Sequence, residues 1–148
     1  MSMYDTHTVS LLGGARVIDY QPQSTAEVHD LLVRGVPYAS LIHLSAHLSH
    51  LSDADVANAV GISTRTLRRQ KEEPGKRMPP DIGSRVWQLA ETLGLAEEVL
   101  GDKLAAERWM NEQALGLDGK RPIELLQTSQ GAALVMQFLE RLKFGVYN

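Results

Sequence analysis

The sequence lacks cysteine, is poor in aromatic residues and contains no long apolar run. Without cysteine the chain cannot build a disulfide framework, a thiolate metal site or a cysteine nucleophile. Aromatic residues account for 5% of the chain, and no stretch sustains the alternation of apolar and polar side chains that marks a β-strand. No apolar run approaches the roughly 18 residues of a membrane-spanning helix, and residues 1–12 lack the pattern of a signal peptide. We therefore expect a cytoplasmic protein with no membrane partner.

The composition that remains is typical of a folded globular protein. Of the 148 residues, 43% are hydrophobic and 22% are charged, which suffices for one domain or two small ones. Apolar residues recur at helical spacing between capping residues, glycines and prolines, so we predict an all-α fold. The predicted helices lie between Ser24 and Gly35, from Pro37 to about His50, between Ser52 and Gly61, from Thr64 to about Glu73, from Ile82 to Leu93, from Leu95 to Leu100, from Asp102 to about Gln113, from Pro122 to Leu126, and from Thr128 onward.

Charge is distributed unevenly along the chain. The formal net charge is −3, which taken alone argues against a nucleic-acid-binding protein. Between Arg65 and Arg77, however, there are six basic residues and two acidic ones, a local charge of +4, so the rest of the chain carries −7. A basic segment in an otherwise acidic chain indicates that this segment contacts the phosphates of a nucleic acid, while the rest of the chain binds a different partner.

Residues 53–73 have the form of a helix-turn-helix with its tight turn at Gly61. At about 100° of rotation per residue, Arg65 and Arg69 point almost opposite the apolar Leu67, so guanidinium groups project from the exposed face of the second helix. Arginine can bond guanine or phosphate, and hydroxyl residues at a helix N-terminus commonly contact the DNA backbone. The alternative is an ordinary solvated face. The predicted contacts to operator DNA are Ser63, Thr64, Arg65, Thr66, Arg68, Arg69 and Lys71.

No constellation of residues points to catalysis, a metal or a cofactor. His43, His47 and His50 share helical spacing, but they lack the further ligands that usually complete a zinc site, and we interpret them as partly exposed helix histidines. There is no G-x-S-x-G motif, and the Gly13-Gly14 pair is not part of a phosphate-binding loop. We therefore predict a protein that is not an enzyme and that has no catalytic residue, metal site or cofactor.

From residue 107 onward the order of residues is more specific than helical periodicity requires. The distinctive residues are Trp109, Ala114-Leu115-Gly116, Arg121-Pro122-Ile123-Glu124-Leu125-Leu126, Thr128, Gly131, Val135, Leu139, Arg141 and Phe144-Gly145-Val146-Tyr147. This combination resembles the C-terminal antitoxin and toxin-binding domain of the Xre/MbcA/ParS family, and the preceding helices resemble the Xre-like helix-turn-helix region of the same family. One departure is the loop 114–121, which is longer and less rich in proline and asparagine than the family's usual version.

The resemblance implies a type II antitoxin encoded beside a RES-domain toxin, an enzyme that consumes NAD or transfers its ADP-ribose. It implies further that the C-terminal domain covers the NAD cleft of the toxin and that the helix-turn-helix represses the antitoxin's own operon. The expected organisation is a helix-turn-helix-containing helical bundle followed by a small helical toxin-binding domain. Its parts are an N-terminal arm (1–22), an Xre-like helix-turn-helix domain (23–100) and an antitoxin/toxin-binding domain (101–148).

The chain ends in apolar residues that would fray into water if nothing covered them. Such residues either fold back onto their own helices or dock into a partner protein, and periodicity and composition leave both possibilities open. The resemblance favours docking. The predicted toxin-binding residues are Arg141, Phe144, Gly145, Val146, Tyr147 and Asn148.

The expected oligomeric state follows from the helix-turn-helix. Repressors of this form generally meet symmetric operators in pairs, so we expect a homodimer that assembles with the toxin into a hetero-oligomer. The alternative function is a plain helix-turn-helix transcriptional regulator whose C-terminal domain only dimerises. Such a regulator would keep its operator affinity without residues 144–148 and would have no toxin gene beside its own.

Overall fold

The computed structural model describes residues 6–145, and over that range the protein is a bundle of α-helices. The all-α fold expected from the sequence is confirmed. Within the same range, β-structure is limited to two isolated bridges, and no helix is both long and apolar enough to cross a membrane. The helices are α1 (Thr6–Leu11), α2 (Thr25–Arg34), α3 (Tyr38–Ala46), α4 (Asp53–Val60), α5 (Thr64–Gln70), α6 (Pro80–Leu100), α7 (Lys103–Met110), α8 (Pro122–Leu125) and α9 (Ser129–Lys143), with 3₁₀ turns at Gly14–Arg16 and Leu115–Leu117.

Side-chain caps fix the beginnings of five helices. In each cap an oxygen accepts a hydrogen bond of 2.7–3.1 Å from the backbone N–H three residues later, which typically stabilises a helix by about 1 kcal/mol. After Ala46 and Gln70, hydrogen bonds to the third preceding carbonyl replace the helical pattern, so α3 and α5 end earlier than predicted. The capping residues are Ser24, Ser52, Ser63, Asp102 and Thr128.

Helix α6 is longer than the sequence predicts. A helix end was expected at Gly94, but the helix runs through that glycine to Leu100. The reason is a close crossing with α1, because a Cβ atom at Gly94 would lie 3.0 Å from Cδ2 of His7 and 3.8 Å from Cδ1 of Leu11. The glycine therefore permits helix packing and does not stop the helix.

The segment expected to be an N-terminal arm is part of the bundle over its described residues. It forms α1 and the 3₁₀ turn at Gly14–Arg16, and α1 packs against α3 and α6. Val9, Leu12 and Ile18 are buried in the common core. A six-residue helix shows too few apolar repeats to be recognised from periodicity, which explains why the sequence did not reveal it.

The stretch between α5 and α6 is hydrogen-bonded to the connection between α2 and α3. The N–H of Met78 donates to the carbonyl of Val36 at 2.8 Å, and the N–H of Tyr38 donates to the carbonyl of Lys76 at 2.8 Å. Met78 is also buried in the core. These contacts hold the end of the helix-turn-helix against the bundle.

The helix-turn-helix region and the C-terminal region share one core across α6. This helix contacts α1, α2 and α4, which precede it, and α7 and α9, which follow it. In addition, the buried carboxylate of Glu107 on α7 accepts a hydrogen bond of 3.2 Å from the backbone N–H of His50. The two regions therefore form one packed body, in which the position of each limits the position of the other.

Candidate DNA-binding and partner-binding surfaces

Helices α4 and α5 form the predicted helix-turn-helix, held together from inside by apolar contacts. Val56, Val60 and Leu67 are fully buried, as is the small Ala57 on α4, and α4 packs against α5. Between them Gly61 adopts a φ of 82°, a left-handed conformation that glycine takes without strain. The turn closes with a hydrogen bond of 3.0 Å from the N–H of Ile62 to the carbonyl of Ala57.

Three arginines project from α5, and two of them, Arg65 and Arg69, lie almost opposite the buried Leu67. Arg65, Arg68 and Arg69 are exposed, and among residues 6–145 none of the three makes a side-chain hydrogen bond or an ion pair. Their positive charges are therefore available to an anionic partner. We call the exposed side of α5 that carries these three arginines the α5 surface.

The other predicted DNA contacts are engaged locally to different degrees. The Ser63 hydroxyl accepts from the N–H of Thr66 at 3.0 Å and donates to the Thr66 hydroxyl at 2.9 Å. Thr64 and Thr66 are half-buried. Lys71 is exposed, and its Nζ lies 3.5 Å from Oδ2 of Asp53. The structure thus places five of the seven residues on α5 and the other two, Ser63 and Lys71, at its ends, where both already have partners within the protein.

Sequence reasoning named Arg121 only as part of a motif and did not reveal that it joins the two regions. Arg121, at the start of α8, donates to both carboxylate oxygens of Asp55 on α4, at 3.0 and 3.3 Å. It also donates to Glu124 and to Asn111, each at 2.6 Å. No spacing rule reveals a pair 66 residues apart. A single side chain therefore connects the first helix of the helix-turn-helix to the C-terminal region.

The Arg121 contact also changes the titration of its partner. Burial alone would raise the pKa of the Asp55 carboxyl, but the hydrogen bonds and positive charge of Arg121, with a further contribution from Ser52, outweigh burial. The pKa of Asp55 is therefore lower than that of an ordinary carboxyl. Asp55 stays ionised at neutral pH, where it can hold the arginine.

The C-terminal region is built on α9 packed across α8. Val135 and Leu139 on α9 are fully buried. Near the start of α9, a Cβ atom at Gly131 would lie 2.0 Å from the backbone oxygen of Leu125, so only glycine permits this approach. On a neighbouring side, the Phe138 ring stacks on the Trp109 ring with centroids 5.8 Å apart.

The residues predicted to bind a toxin lie at or beyond the end of α9. Arg141 is exposed on α9, and Phe144 just after it is 73% exposed. Gly145 is half-buried with a φ of 66°. The remaining predicted residues, Val146, Tyr147 and Asn148, lie outside the described residues. Phe144 thus presents an aromatic side chain to solvent and is not folded into its own core.

Family models match the two regions separately. Residues 27–91 match the antitoxin Xre-like helix-turn-helix domain. Residues 95–145 match the antitoxin Xre/MbcA/ParS C-terminal toxin-binding domain. The first match contains α4 and α5, and the second contains α7, α8 and α9.

Curated relatives agree with these matches. The chain is 32% identical over 106 residues to an antitoxin Xre of Yersinia enterocolitica, a match covering 70% of this chain and 71% of that protein. It is 25% identical over 132 residues to an antitoxin Xre of Photorhabdus laumondii, covering 88% of both chains. A shorter match, 39% identical over 71 residues, covers 45% of this chain and 22% of a 6-hydroxy-3-succinoylpyridine 3-monooxygenase of Pseudomonas putida. That overlap takes in too little of the enzyme to carry its activity to this chain.

Proposed function

Because the chain belongs to the Xre/MbcA/ParS family of antitoxins, we propose that it neutralises a RES-domain, NAD-consuming toxin by covering the toxin's active-site cleft. We propose also that it binds operator DNA and so represses its own operon. The observation that carries the proposal is the presence, in one packed body, of three exposed arginines on a helix-turn-helix and of a region matched to a toxin-binding domain.

The α5 surface supports the DNA part of this proposal. Three exposed guanidinium groups along a short, capped helix suit the major groove, where arginine bonds guanine or pairs with phosphate. The turn and the buried Leu67 fix the helix on the bundle, so that the arginines are presented together. A symmetric operator would engage two such helices, which requires a homodimer.

The end of α9 supports the toxin part. Phe144 is an exposed aromatic side chain, of the residue class that is enriched where proteins bind each other. Docking into a cleft of the toxin would remove the exposed Phe144 ring from water. We assign this segment, together with Arg141, to the contact with the toxin.

The experiment that tests the proposal is co-expression with the RES-domain gene beside its own gene. The full chain should form a complex with the toxin, restore growth and suppress NAD consumption by the purified toxin. A chain truncated after Leu142 should lose neutralisation but keep operator binding, whereas Arg65→Ala with Arg69→Ala should do the reverse. No complex and no rescue by the full chain would refute the proposal, and a truncated chain that neutralises normally would refute the role of segment 144–148.

A further inference from the structure

Leu115 is the most exposed large apolar side chain among the described residues, with 98% of its surface open to solvent. It is the first residue of the 3₁₀ turn Leu115–Leu117, in the connection between α7 and α8. A leucine in this position gains nothing from folding, whereas burying such a side chain against another protein is favourable in proportion to the apolar area covered. Its position therefore requires an explanation outside the fold of the single chain.

The loop that carries Leu115 is closed by its own backbone. The N–H of Ala114 donates to the carbonyl of Lys120 at 3.1 Å, and the carbonyl of Ala114 accepts from Gly119 at 2.8 Å and from Leu117 at 3.0 Å. The loop is also anchored from below, because Leu117 is buried in the core. Leu115 is thus held in place by a defined turn, which reduces the entropy lost when a partner covers it.

The loop is seated on the aromatic pair of the C-terminal region. A Cβ atom at Gly116 would lie 2.5 Å from Cε2 of Phe138, so the backbone lies directly on that ring. Phe138 in turn stacks on Trp109. One turn earlier on α9, on the same side as Phe138, Leu134 is 50% exposed. We call this continuous set, Trp109, Leu115, Leu134 and Phe138, the Leu115 surface.

We infer that the Leu115 surface is a second docking surface for the toxin, with Leu115 inserted into an apolar recess of that protein. The inference rests on the proposed function. All four residues lie within residues 95–145, the part matched to a toxin-binding domain. The surface also continues towards the segment assigned to the toxin, since Arg141 follows Phe138 by three positions on α9.

The shape of the surface favours a toxin over a second copy of this chain. In a two-fold symmetric dimer, each copy contributes the same patch to the interface. A side chain that projects from the patch would therefore have to fit into a recess in the same patch of the other copy. Here Leu115 is open to solvent over 98% of its surface, and Phe138, stacked on Trp109, fills the space next to the neighbouring Gly116. A toxin with a substrate cleft supplies the complementary concave surface.

The direct test is Leu115→Asp in the full chain, titrated calorimetrically against the purified RES-domain toxin. Because Leu115 is exposed, the variant should keep the melting temperature and the operator affinity of the wild type. Its affinity for the toxin should fall at least about ten-fold, since a charge would enter an apolar contact. The matched control is Val33→Asp, an exposed apolar residue on α2 that is 56% open; it should leave toxin affinity unchanged.

Site-specific photocross-linking identifies the occupant. With benzophenone at position 115, the purified chain should cross-link to the toxin, and with benzophenone at position 33 it should not. Cross-linking of position 115 to a second copy, or wild-type toxin affinity in Leu115→Asp, would overturn the inference while leaving the proposed function intact. If the wild-type chain fails to bind the toxin at all, the proposed function and the inference fall together.

Discussion

The α5 surface and the Leu115 surface differ in the chemistry they present to a partner. The α5 surface carries three exposed guanidinium groups on a buried apolar support. The Leu115 surface carries exposed apolar side chains on an aromatic support. Charge attracts a polyanion over long distances and weakens with salt, whereas apolar contacts require close shape complementarity. The difference teaches that one small chain can present a cationic surface and an apolar surface that are built from different residues.

The comparison is limited by the contacts that join the two regions. Arg121 bonds Asp55 across the boundary, and the Glu107 carboxylate accepts from the backbone of His50. The surfaces are therefore separate in chemistry but fixed on one body. Variants can therefore remove the charge of one surface, disturb the packing of the C-terminal region, or break the contact between Arg121 and Asp55.

Removing charge from the α5 surface should have the largest effect. Arg65→Ala with Arg69→Ala should weaken operator binding by about 4 kcal/mol, close to a thousand-fold, because each arginine contact is worth about 1–3 kcal/mol. If both residues meet phosphate, the log–log salt slope should also become shallower by about 2. Fluorescence anisotropy with an operator duplex at several salt concentrations measures both quantities. Arg108→Ala, an exposed arginine on α7, is the control, and equal losses in the two variants would refute a specific role for the α5 surface.

Damaging the C-terminal packing should have the next largest effect. Gly131→Ala forces a Cβ atom to within 2.0 Å of the Leu125 carbonyl oxygen, a backbone atom that cannot turn aside. We expect the free energy of unfolding to fall by about 3 kcal/mol, as in other overpacked cores. Urea denaturation measures this change. Gly75→Ala meets no atom within 4 Å and should be nearly neutral, so a neutral Gly131→Ala would contradict the close packing of α8 and α9.

Breaking the contact between Arg121 and Asp55, which joins the two regions, should have a smaller effect on stability. Arg121→Gln removes the charged bonds to Asp55 and Glu124, and should lower the free energy of unfolding by about 1 kcal/mol at neutral pH, since the pair is only partly buried. A double-mutant cycle with Asp55→Asn isolates the coupling between the two residues. Strictly additive effects in the cycle would show that the two residues do not interact.

The smallest effect should appear in the pH dependence of stability. The pKa of Asp55 is lowered in the folded protein, so its contribution is present above the ordinary carboxyl pKa and is lost as the pH falls through the folded value. As the pH is lowered below about 4, the free energy of unfolding of the wild type should therefore fall more than that of Arg121→Gln. The difference between the two should be less than about 1 kcal/mol. Urea denaturation midpoints measured at a series of pH values test this prediction. If the midpoints of the wild type and of Arg121→Gln change in parallel with pH, Arg121 is not the cause of the low pKa of Asp55.

The sequence predicted what depends on near neighbours in the chain. Caps such as Ser63 and the glycine turn at Gly61 act within three or four residues, so they were visible as patterns. The role of Gly94 depends on α1, which lies more than 80 positions away, and periodicity alone suggested a helix end. The bond from Arg121 to Asp55 is equally remote. For the same reason the exposure of Leu115 was not foreseen, although its loop had already stood out as a departure from the family's usual version.

The most direct test of the account is whether the toxin-bound chain still binds DNA. A labelled operator duplex is titrated with the free chain and with its preformed complex with the RES-domain toxin. Because the α5 surface and the residues proposed to bind the toxin are distinct, the complex should bind the duplex with the salt dependence of the free chain. If stoichiometric toxin instead displaces the chain from the duplex, the two partners share a surface and the account is wrong.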